Sequence, residues 1–213
     1  SPRPNEGDAN SGSLDVLSTG AVVSNFPARG QGKVFLMNNI EYATAQLWVS
    51  SDIKSMADLV SAAKANPGKL NFASYTAGTL SHVMGLQLNR SAGIDMTHVG
   101  YKGSTPALQD VMGGHVQLMF DGMATSLPLI KGGKIKAFAV SLPKRSPLLP
   151  EVPTFTELGY PQLEAIGWMG LWVKPDMPAA LQAQIREAAL KAIAQPALRE
   201  RLMEIGFEPG QAR

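Results

Sequence analysis

Short apolar runs alternate with helical segments through the middle of the chain, and this alternation constrains the fold more than any other feature. Ser55 is a typical N-cap with an acidic residue three positions later, and its helix stops at the Asn-Pro-Gly sequence at 66–68. Such alternation is typical of βαβ units, so we predict an α/β fold with a mostly parallel sheet. The predicted strands are 47–49, 70–73, 97–101, 116–120, 135–140 and 171–173, and the predicted helices are 55–66, 79–93, 105–113, 123–130, 181–193 and 198–205.

The first thirteen residues have a different composition from the rest of the chain. They consist largely of proline, glycine, serine, asparagine and acidic residues, so they cannot bury an apolar face. We predict that residues 1–13 form a flexible tail and that order begins near Leu14. No basic and then apolar signal segment opens the chain, and we therefore expect that an export signal has been removed.

Charge and cysteine content exclude several classes of partner and site. The net charge is +2, from 19 basic and 17 acidic side chains that are scattered along the chain. We therefore expect neither a nucleic-acid interface nor a basic membrane-binding patch. The absence of cysteine excludes disulfides and thiolate zinc sites. No apolar stretch approaches the roughly 20 residues that a membrane-spanning helix needs.

Motifs for catalysis are missing from the sequence. It contains no Gly-x-Ser-x-Gly elbow and no phosphate-binding loop, and the Gly-Gln-Gly at 30–32 lacks the context of a dinucleotide fingerprint. The three histidines, His82, His98 and His115, match no metal-binding spacing, and each is interpreted as an ordinary surface or supporting residue. We predict a protein without catalytic activity, metal or cofactor.

The segment between the strand at 70–73 and the next helix has the character of an anion site. It contains Gly78 and the hydroxyl residues Thr76, Thr79 and Ser81, and it opens a helix. The first N–H groups of a helix lack partners and lie at the positive end of its dipole, so an anion can bind there without arginine. The alternative interpretation is an ordinary capping loop.

Two further strand ends carry small polar residues. The run from Tyr101 through Gly103 to Thr105-Pro106 repeats the sequence of strand, glycine, hydroxyl and helix start. Asp121 ends the following strand, either as a cap of the helix at 123 or as a ligand contact. Because ligands of open α/β sheets bind at the carboxyl ends of strands, we expect these loops to converge. Trp168 lies before the last strand and either lines a cleft or joins the core.

A series of motifs in the same order resembles the Bug-type extracytoplasmic solute receptors, the substrate-binding proteins of tripartite tricarboxylate transporters. The motifs are ANPGKLNF at 65–72, GTLSH at 78–82, HVGYKGSTPAL at 98–108, GGHVQLMFD at 113–121, KRSP at 144–147, PEVPT at 150–154 and GWMGL at 167–171. They extend from about Asp52 to Phe207.

The resemblance implies a two-lobed α/β architecture of the type II periplasmic-binding-protein kind with parallel-dominated sheets. The second lobe would be 46–166, and the first lobe would combine 14–45 with 167–213. A ligand carboxylate would be held between the lobes by N–H groups and hydroxyls. The ligand-site residues implied in this way, with Trp168 added, are Ser18, Thr19, Thr76, Gly78, Thr79, Ser81, Tyr101, Gly103 and Asp121.

The chain also departs from the family pattern at both ends. Family members begin with a strand and a Pro- and Gly-rich loop that residues 1–13 do not match, and the long final helix of the family is missing. We therefore expect a receptor that is truncated at both ends, with an incomplete first lobe.

The implied function is that of a monomeric periplasmic receptor that delivers a small carboxylate to membrane transporter subunits. Two alternatives are a sensing domain for a membrane signalling partner, and a carboxylate-processing enzyme that uses Asp121 with a histidine. The ligand candidates are a dicarboxylate, a tricarboxylate, an acidic amino acid and an aromatic acid. The three strand-end loops lack arginine, which argues against a tight bidentate clamp, and Asp121 could receive an ammonium group.

Overall fold

The computed structural model describes residues 16–20, 33–35, 40–42, 44–47, 53–165, 167, 169–174 and 176–209. Within these ranges the strands are β1 (Val16–Gly20), β2 (Lys33–Phe35), β3 (Ile40–Tyr42), β4 (Thr44–Leu47), β5 (Asn71–Ser74), β6 (Thr97–Gly100), β7 (Leu118–Gly122), β8 (Met169–Val173) and β9 (Phe207–Pro209). The α-helices are α1 (Met56–Ala65), α2 (Leu80–Ala92), α3 (Ser104–Met112), α4 (Met123–Lys131), α5 (Ala179–Ile193) and α6 (Pro196–Glu204). A 3-10 turn covers Pro161–Leu163.

Capping residues set the ends of the first two helices. The Ser55 hydroxyl oxygen accepts a hydrogen bond from the Asp58 N–H at 3.1 Å. The Thr79 hydroxyl oxygen likewise accepts from the third N–H of α2. Gly93 ends α2 in the left-handed conformation, with a φ of 61°, which a residue without a side chain adopts at little cost. The predicted starts and ends of both helices are confirmed.

A four-stranded sheet in the order β4-β7-β5-β6 forms the centre of the larger part of the chain. β5 pairs parallel with β6 and with β7, while β4 pairs antiparallel with β7. Phe72 of β5 lies opposite His98 of β6 and Leu118 of β7. The predicted α/β class with a parallel sheet is confirmed. The carboxyl ends of β5, β6 and β7 therefore lie at one edge of the sheet, as expected.

Both faces of this sheet are buried under helices. On one face Phe72 packs in a cluster with Leu59 of α1 and Leu88 of α2, and all three side chains are fully buried. The next residue of β5, Ala73, points to the other face and packs in a cluster with Val111 of α3. Burial on both faces explains why β7 begins with a continuous apolar run, Leu-Met-Phe, instead of an alternating pattern.

The predicted strand at 135–140 is wrong. Only Val140 makes a β-bridge there, to Thr154, and the N–H of Val140 donates to the carbonyl of Pro153. Phe138 and Ala139 are buried in the core next to this bridge without belonging to a strand. An apolar run of this length can be buried in the core without forming a strand when its backbone groups find individual hydrogen-bond partners. The apolar pattern alone does not distinguish a strand from such an irregular segment.

Several predicted boundaries differ from the structure, and one cannot be compared with it. β7 begins at Leu118 and includes both Asp121 and Gly122, because β4 extends the pairing along these residues. α3 begins at Ser104 after a glycine N-cap, so Thr105 lies inside the helix. For the predicted strand at 47–49, β4 ends at Leu47, and the two residues that follow lie outside the described ranges.

The chain divides into two compact units. One combines Ser1–Glu41, Gly167–Glu204 and Glu208–Arg213, and the other combines Tyr42–Ile166 with Ile205–Phe207. The first unit contains an antiparallel sheet in the order β1-β8-β2, together with α5 and α6, which have no buried residue. The second contains the four-stranded sheet. The predicted flexible tail, 1–13, lies outside the described residues.

Candidate ligand-binding site

Three helices begin where three parallel strands end. α2 follows β5, α3 follows β6 and α4 follows β7, so the positive ends of three helix dipoles lie along one edge of the sheet. Within the described part of the chain, the N–H groups of Leu80 and Ser81 in the first turn of α2 donate to no protein acceptor. This arrangement attracts an anion and offers it hydrogen-bond donors.

The loop before α2, residues 74–79, is held by bonds within the loop and to the first turn. The Thr79 hydroxyl donates to the carbonyl of Thr76 at 2.8 Å and accepts from the N–H of His82. Gly78 has a φ of 86°, in the left-handed region, and its N–H donates to Nδ1 of His82 at 3.0 Å. Thr76 and Gly78 are exposed, and Thr79 is half-buried. Of the predicted site residues, these three therefore lie together at an accessible helix start.

Ser81 lies beneath this loop, away from solvent. Its side chain is 4% exposed, and its hydroxyl donates to the carbonyl of Phe120 in β7. That bond fixes the first turn of α2 on the sheet. The Ser81 hydroxyl is occupied in this way, so the group that Ser81 offers toward the open edge is its backbone N–H.

Asp121 is a buried carboxylate that accepts hydrogen bonds from hydroxyl groups. Its side chain is 1% exposed. The hydroxyls of Tyr75 and Ser104 donate to Oδ1 at 2.7 and 2.8 Å, and that of Thr125 donates to Oδ2 at 2.6 Å. The Ser126 hydroxyl also donates to Oδ2. Four donors fill the usual accepting capacity of a carboxylate, so the negative charge is satisfied without a cation.

This carboxylate joins the loops that follow all three parallel strands. Tyr75 follows β5, Ser104 follows β6, and Thr125 belongs to α4. The N–H of Gly122 donates to the Tyr75 hydroxyl at 2.9 Å, which closes the network. Burial, followed by the nearby charge of Asp121, raises the pKa of Tyr75 well above its usual range, so this phenol stays a donor. Gly122, and not Asp121, is the N-cap of α4.

Tyr101 and Gly103 shape the loop after β6. The Tyr101 hydroxyl donates to Asp110 of α3 at 2.7 Å, and burial with this bond raises the pKa of Tyr101 to about 12. The same bond lowers the pKa of Asp110. Gly103 is the N-cap of α3 and has a φ of 133°, which requires a glycine. The hydroxyl of Tyr101 therefore supports α3, while Lys102 beside it is exposed.

His82 and His98 form a pair of rings, tilted by 34°, against the same loop. Their ring centroids are 4.0 Å apart, and the ring of Phe72 lies 5.2 Å from that of His98. Nε2 of His98 lies 2.7 Å from the hydroxyl oxygen of Ser74, which donates to the carbonyl of Thr76. The spacing of the histidines had predicted ordinary surface or supporting residues. The signal for their pairing is their position, because His82 lies in the first turn of the helix after β5 and His98 lies inside β6, the strand next to β5.

Asp121 does not form the acid–base pair with a histidine that the enzyme alternative requires. In the described residues the hydrogen-bond partners of the Asp121 side chain are hydroxyl groups, and neither His82 nor His98 is among them. Those residues also contain no group of three or more His, Cys, Asp or Glu that could hold a metal ion. None of their helices is long and apolar enough to cross a membrane.

The remaining predicted site residues belong to the first unit. Ser18 and Thr19 lie in β1, where they pair with Leu171 and Gly170 of β8. Their side chains and the whole of Trp168 lie outside the described part of the molecule. Their assignment to the site therefore stays a prediction.

Comparison with known proteins identifies relatives along nearly the whole chain. The model of the tripartite tricarboxylate transporter family receptor matches residues 21–213. A protein of Pseudomonas sp. strain P51, the UPF0065 protein in the tcbD-tcbE intergenic region, is 35% identical over 159 residues, which cover 74% of this chain and 47% of that protein. This chain spans about half the length of the curated relatives that it matches first.

Solved structures with the same fold include two proteins with bound acids. Rhodopseudomonas palustris MatC with malate is 27% identical with a TM-score of 0.78, covering 91% of this chain and 69% of that one. R. palustris Rpa4515 with adipate is 29% identical with a TM-score of 0.77, covering 84% and 60%. The predicted periplasmic-binding-protein fold is confirmed by these likenesses.

Proposed function

This chain belongs to the tripartite tricarboxylate transporter receptor family, and from that premise we propose that it is a periplasmic receptor that captures a small aliphatic dicarboxylate for a membrane transporter. The observation that carries the proposal is the edge of the parallel sheet, where the first turn of α2 presents unpaired N–H groups beside an exposed loop of small residues. The acids bound to MatC and Rpa4515, malate and adipate, support the choice of ligand class.

One ligand carboxylate would bind at the start of α2. Its oxygens would accept hydrogen bonds from the N–H groups of Leu80 and Ser81. The hydroxyl of the exposed Thr76 would lie at the edge of this site. The loop contains no basic side chain, so the helix dipole and the neutral donors supply the attraction. Gly78 has no side chain to block the approach of the ligand.

Asp121 would act on the ligand indirectly. Its four hydroxyl partners leave it no free acceptor for a ligand ammonium group, which disfavours an amino acid as the ligand. Its network instead fixes the relative positions of the three helix starts. We assign Asp121, Tyr101 and Gly103 to positioning the edge, and Thr76, Gly78, Thr79 and Ser81 to contact with the ligand.

A thermal-shift screen of the chain against adipate, malate, citrate, glutamate and nicotinate tests this proposal. A ligand at 100 times its Kd stabilises the folded state by about 2.7 kcal/mol, which gives a visible rise in Tm. Adipate or malate should raise the Tm, and glutamate, the amino acid in the screen, should have little effect on the Tm. If no carboxylate changes the Tm at millimolar concentration, the receptor proposal is wrong for this chain.

A matched pair of variants locates the site. Ala77→Glu adds a negative charge to the exposed loop before α2, and it should weaken carboxylate binding at least tenfold by repulsion at the helix start. Ala57→Glu makes the same change at an exposed position of α1 and should leave the affinity unchanged. Equal affinities for both variants in isothermal titration calorimetry would move the site away from α2.

A further inference from the structure

His82 and His98 together contact both ends of the loop that precedes α2. Nδ1 of His82 accepts from the N–H of Gly78 at 3.0 Å, near the end of the loop. His98 contacts the hydroxyl of Ser74 at 2.7 Å, at the beginning of the loop. The two rings contact each other at a tilt of 34°, with centroids 4.0 Å apart. The pair therefore links the two ends of the loop through one ring contact.

The hydrogen bonds define the protonation state of each ring. An acceptor nitrogen carries no proton, so His82 is neutral with its hydrogen on Nε2. The Ser74 hydroxyl donates to the carbonyl of Thr76, which leaves the Nε2–H of His98 as the donor to Ser74. The accepting Nδ1 makes His82 neutral in the folded loop, and His82 must lose its bond to Gly78 if it takes up a proton at Nδ1.

The surroundings of the pair oppose a positive charge. The rings lie beside Phe72 and the fully buried Ser74 of β5, and the titratable group that faces each imidazole is the other imidazole. Burial, followed by repulsion from a protonated His82, lowers the pKa of His98. The first proton on the pair would repel a second across 4.0 Å, and no carboxylate of the described residues is among the hydrogen-bond or ring contacts of either imidazole.

We propose that the His82–His98 pair positions the 74–79 loop and that protonation of His82 releases this loop, so that carboxylate affinity falls as the pH drops. This inference rests on the proposed binding of a carboxylate at the start of α2. The pair with a neutral His82 holds the loop in the conformation in which the first turn of α2 is open to the ligand. Protonation of His82 breaks the bond to Gly78, and the loop loses the anchor next to its exposed end.

The size of the effect follows from proton linkage. A site that must lose one proton before it binds loses at most tenfold in affinity for each pH unit over which it is protonated. Between pH 7.5 and 5.0 the Kd for adipate should therefore rise at least about fivefold.

The first experiment uses no ligand, so it tests the loop independently of the proposed function. In the full chain labelled with ¹⁵N, the ring nitrogens of His82 should show an unprotonated Nδ1 at pH 7.5, and the Gly78 amide should be protected from hydrogen exchange. Both signatures should disappear by pH 5. A protonated Nδ1 on His82 at pH 7.5, or a Gly78 amide whose protection is independent of pH, would overturn the inference whether or not any acid binds.

The second experiment measures the Kd for adipate against pH in three variants. His82→Asn places an amide oxygen close to the position of Nδ1 and cannot titrate, so it should rescue binding and remove the pH dependence. His82→Leu has no acceptor, so it should bind weakly at every pH. His115→Asn, at an exposed position paired with Asp110, should keep the wild-type pH profile. A His82→Asn profile identical to that of the wild type would overturn the inference, whereas failure of all chains to bind adipate would contradict the proposed function alone.

Discussion

Replacement of Asp121 by alanine removes the acceptor of four hydroxyl groups at once. The Ser126 hydroxyl is fully buried and would lose its hydrogen-bond partner without access to water. A buried donor without a partner costs about 1–3 kcal/mol. The buried Tyr75 hydroxyl keeps its bond from the Gly122 N–H, and Ser104 is half-buried, so each of them adds less than Ser126 does. Thr125 is exposed and keeps a second acceptor, the Gly122 carbonyl, so it contributes little.

The net loss of stability should be about 3 kcal/mol, because relief from burying a charge offsets part of the lost hydrogen bonding. Urea unfolding followed by far-UV circular dichroism measures it. With an m-value of about 2 kcal/mol/M, the midpoint should fall by about 1.5 M. Thr125→Ala is the matched control and should lower the midpoint by less than about 0.4 M. An Asp121→Ala midpoint as high as that of the control would refute the assignment of Asp121 as the centre of the network.

Two further variants test the packing and the hydrogen bonding around the site. Gly85→Ala should lower the free energy of unfolding by about 2 kcal/mol, because the alanine Cβ would lie 2.1 Å from the ring of Phe72. This clash should outweigh the preference of alanine for helices. Equal urea midpoints for the variant and the wild type would contradict this. Tyr101 has a pKa of about 12 in the folded chain, above the usual tyrosine value of 10.0, so its stabilising contribution is complete below pH 10 and is lost as the pH rises toward 12. Tyr101→Phe should be less stable than wild type at pH 8 and should lack that loss between pH 10 and 11.5, and parallel pH profiles of the two urea midpoints would contradict it.

Local rules of sequence predicted much of the fold. The caps at Ser55, Thr79 and Gly93 depend on residues within one turn, so the sequence contains all the information that they need. The prediction of a strand at 135–140 was wrong because a strand requires a neighbouring strand along its length, and the structure supplies a pairing partner only at Val140. The pattern of apolar residues does not encode that neighbour.

The site was predicted less completely, because its contacts join distant parts of the chain. The loop with Thr76, Gly78 and Thr79 was predicted from a local pattern of glycine and hydroxyl residues, and its contact with a ligand stays a prediction. The role of Asp121 depends on Tyr75, 46 residues away, and that of His98 depends on Ser74, 24 residues away. A single sequence gives the chemical type of these residues but not their partners.

The parallel pairing of β5 also affects how the molecule reaches its folded state. β5 and β7 pair in parallel, with Phe72 opposite Leu118 and Ala73 opposite Met119. The long segment between the two strands must close into a loop before they can pair, and this closure costs chain entropy before stabilising contacts form. Domains with such non-local pairing fold more slowly than helical ones of similar size. The Tyr75–Asp121 bond spans the same two strand ends. We therefore expect the binding edge to form in the rate-limiting step of folding, so that no early intermediate can bind the ligand.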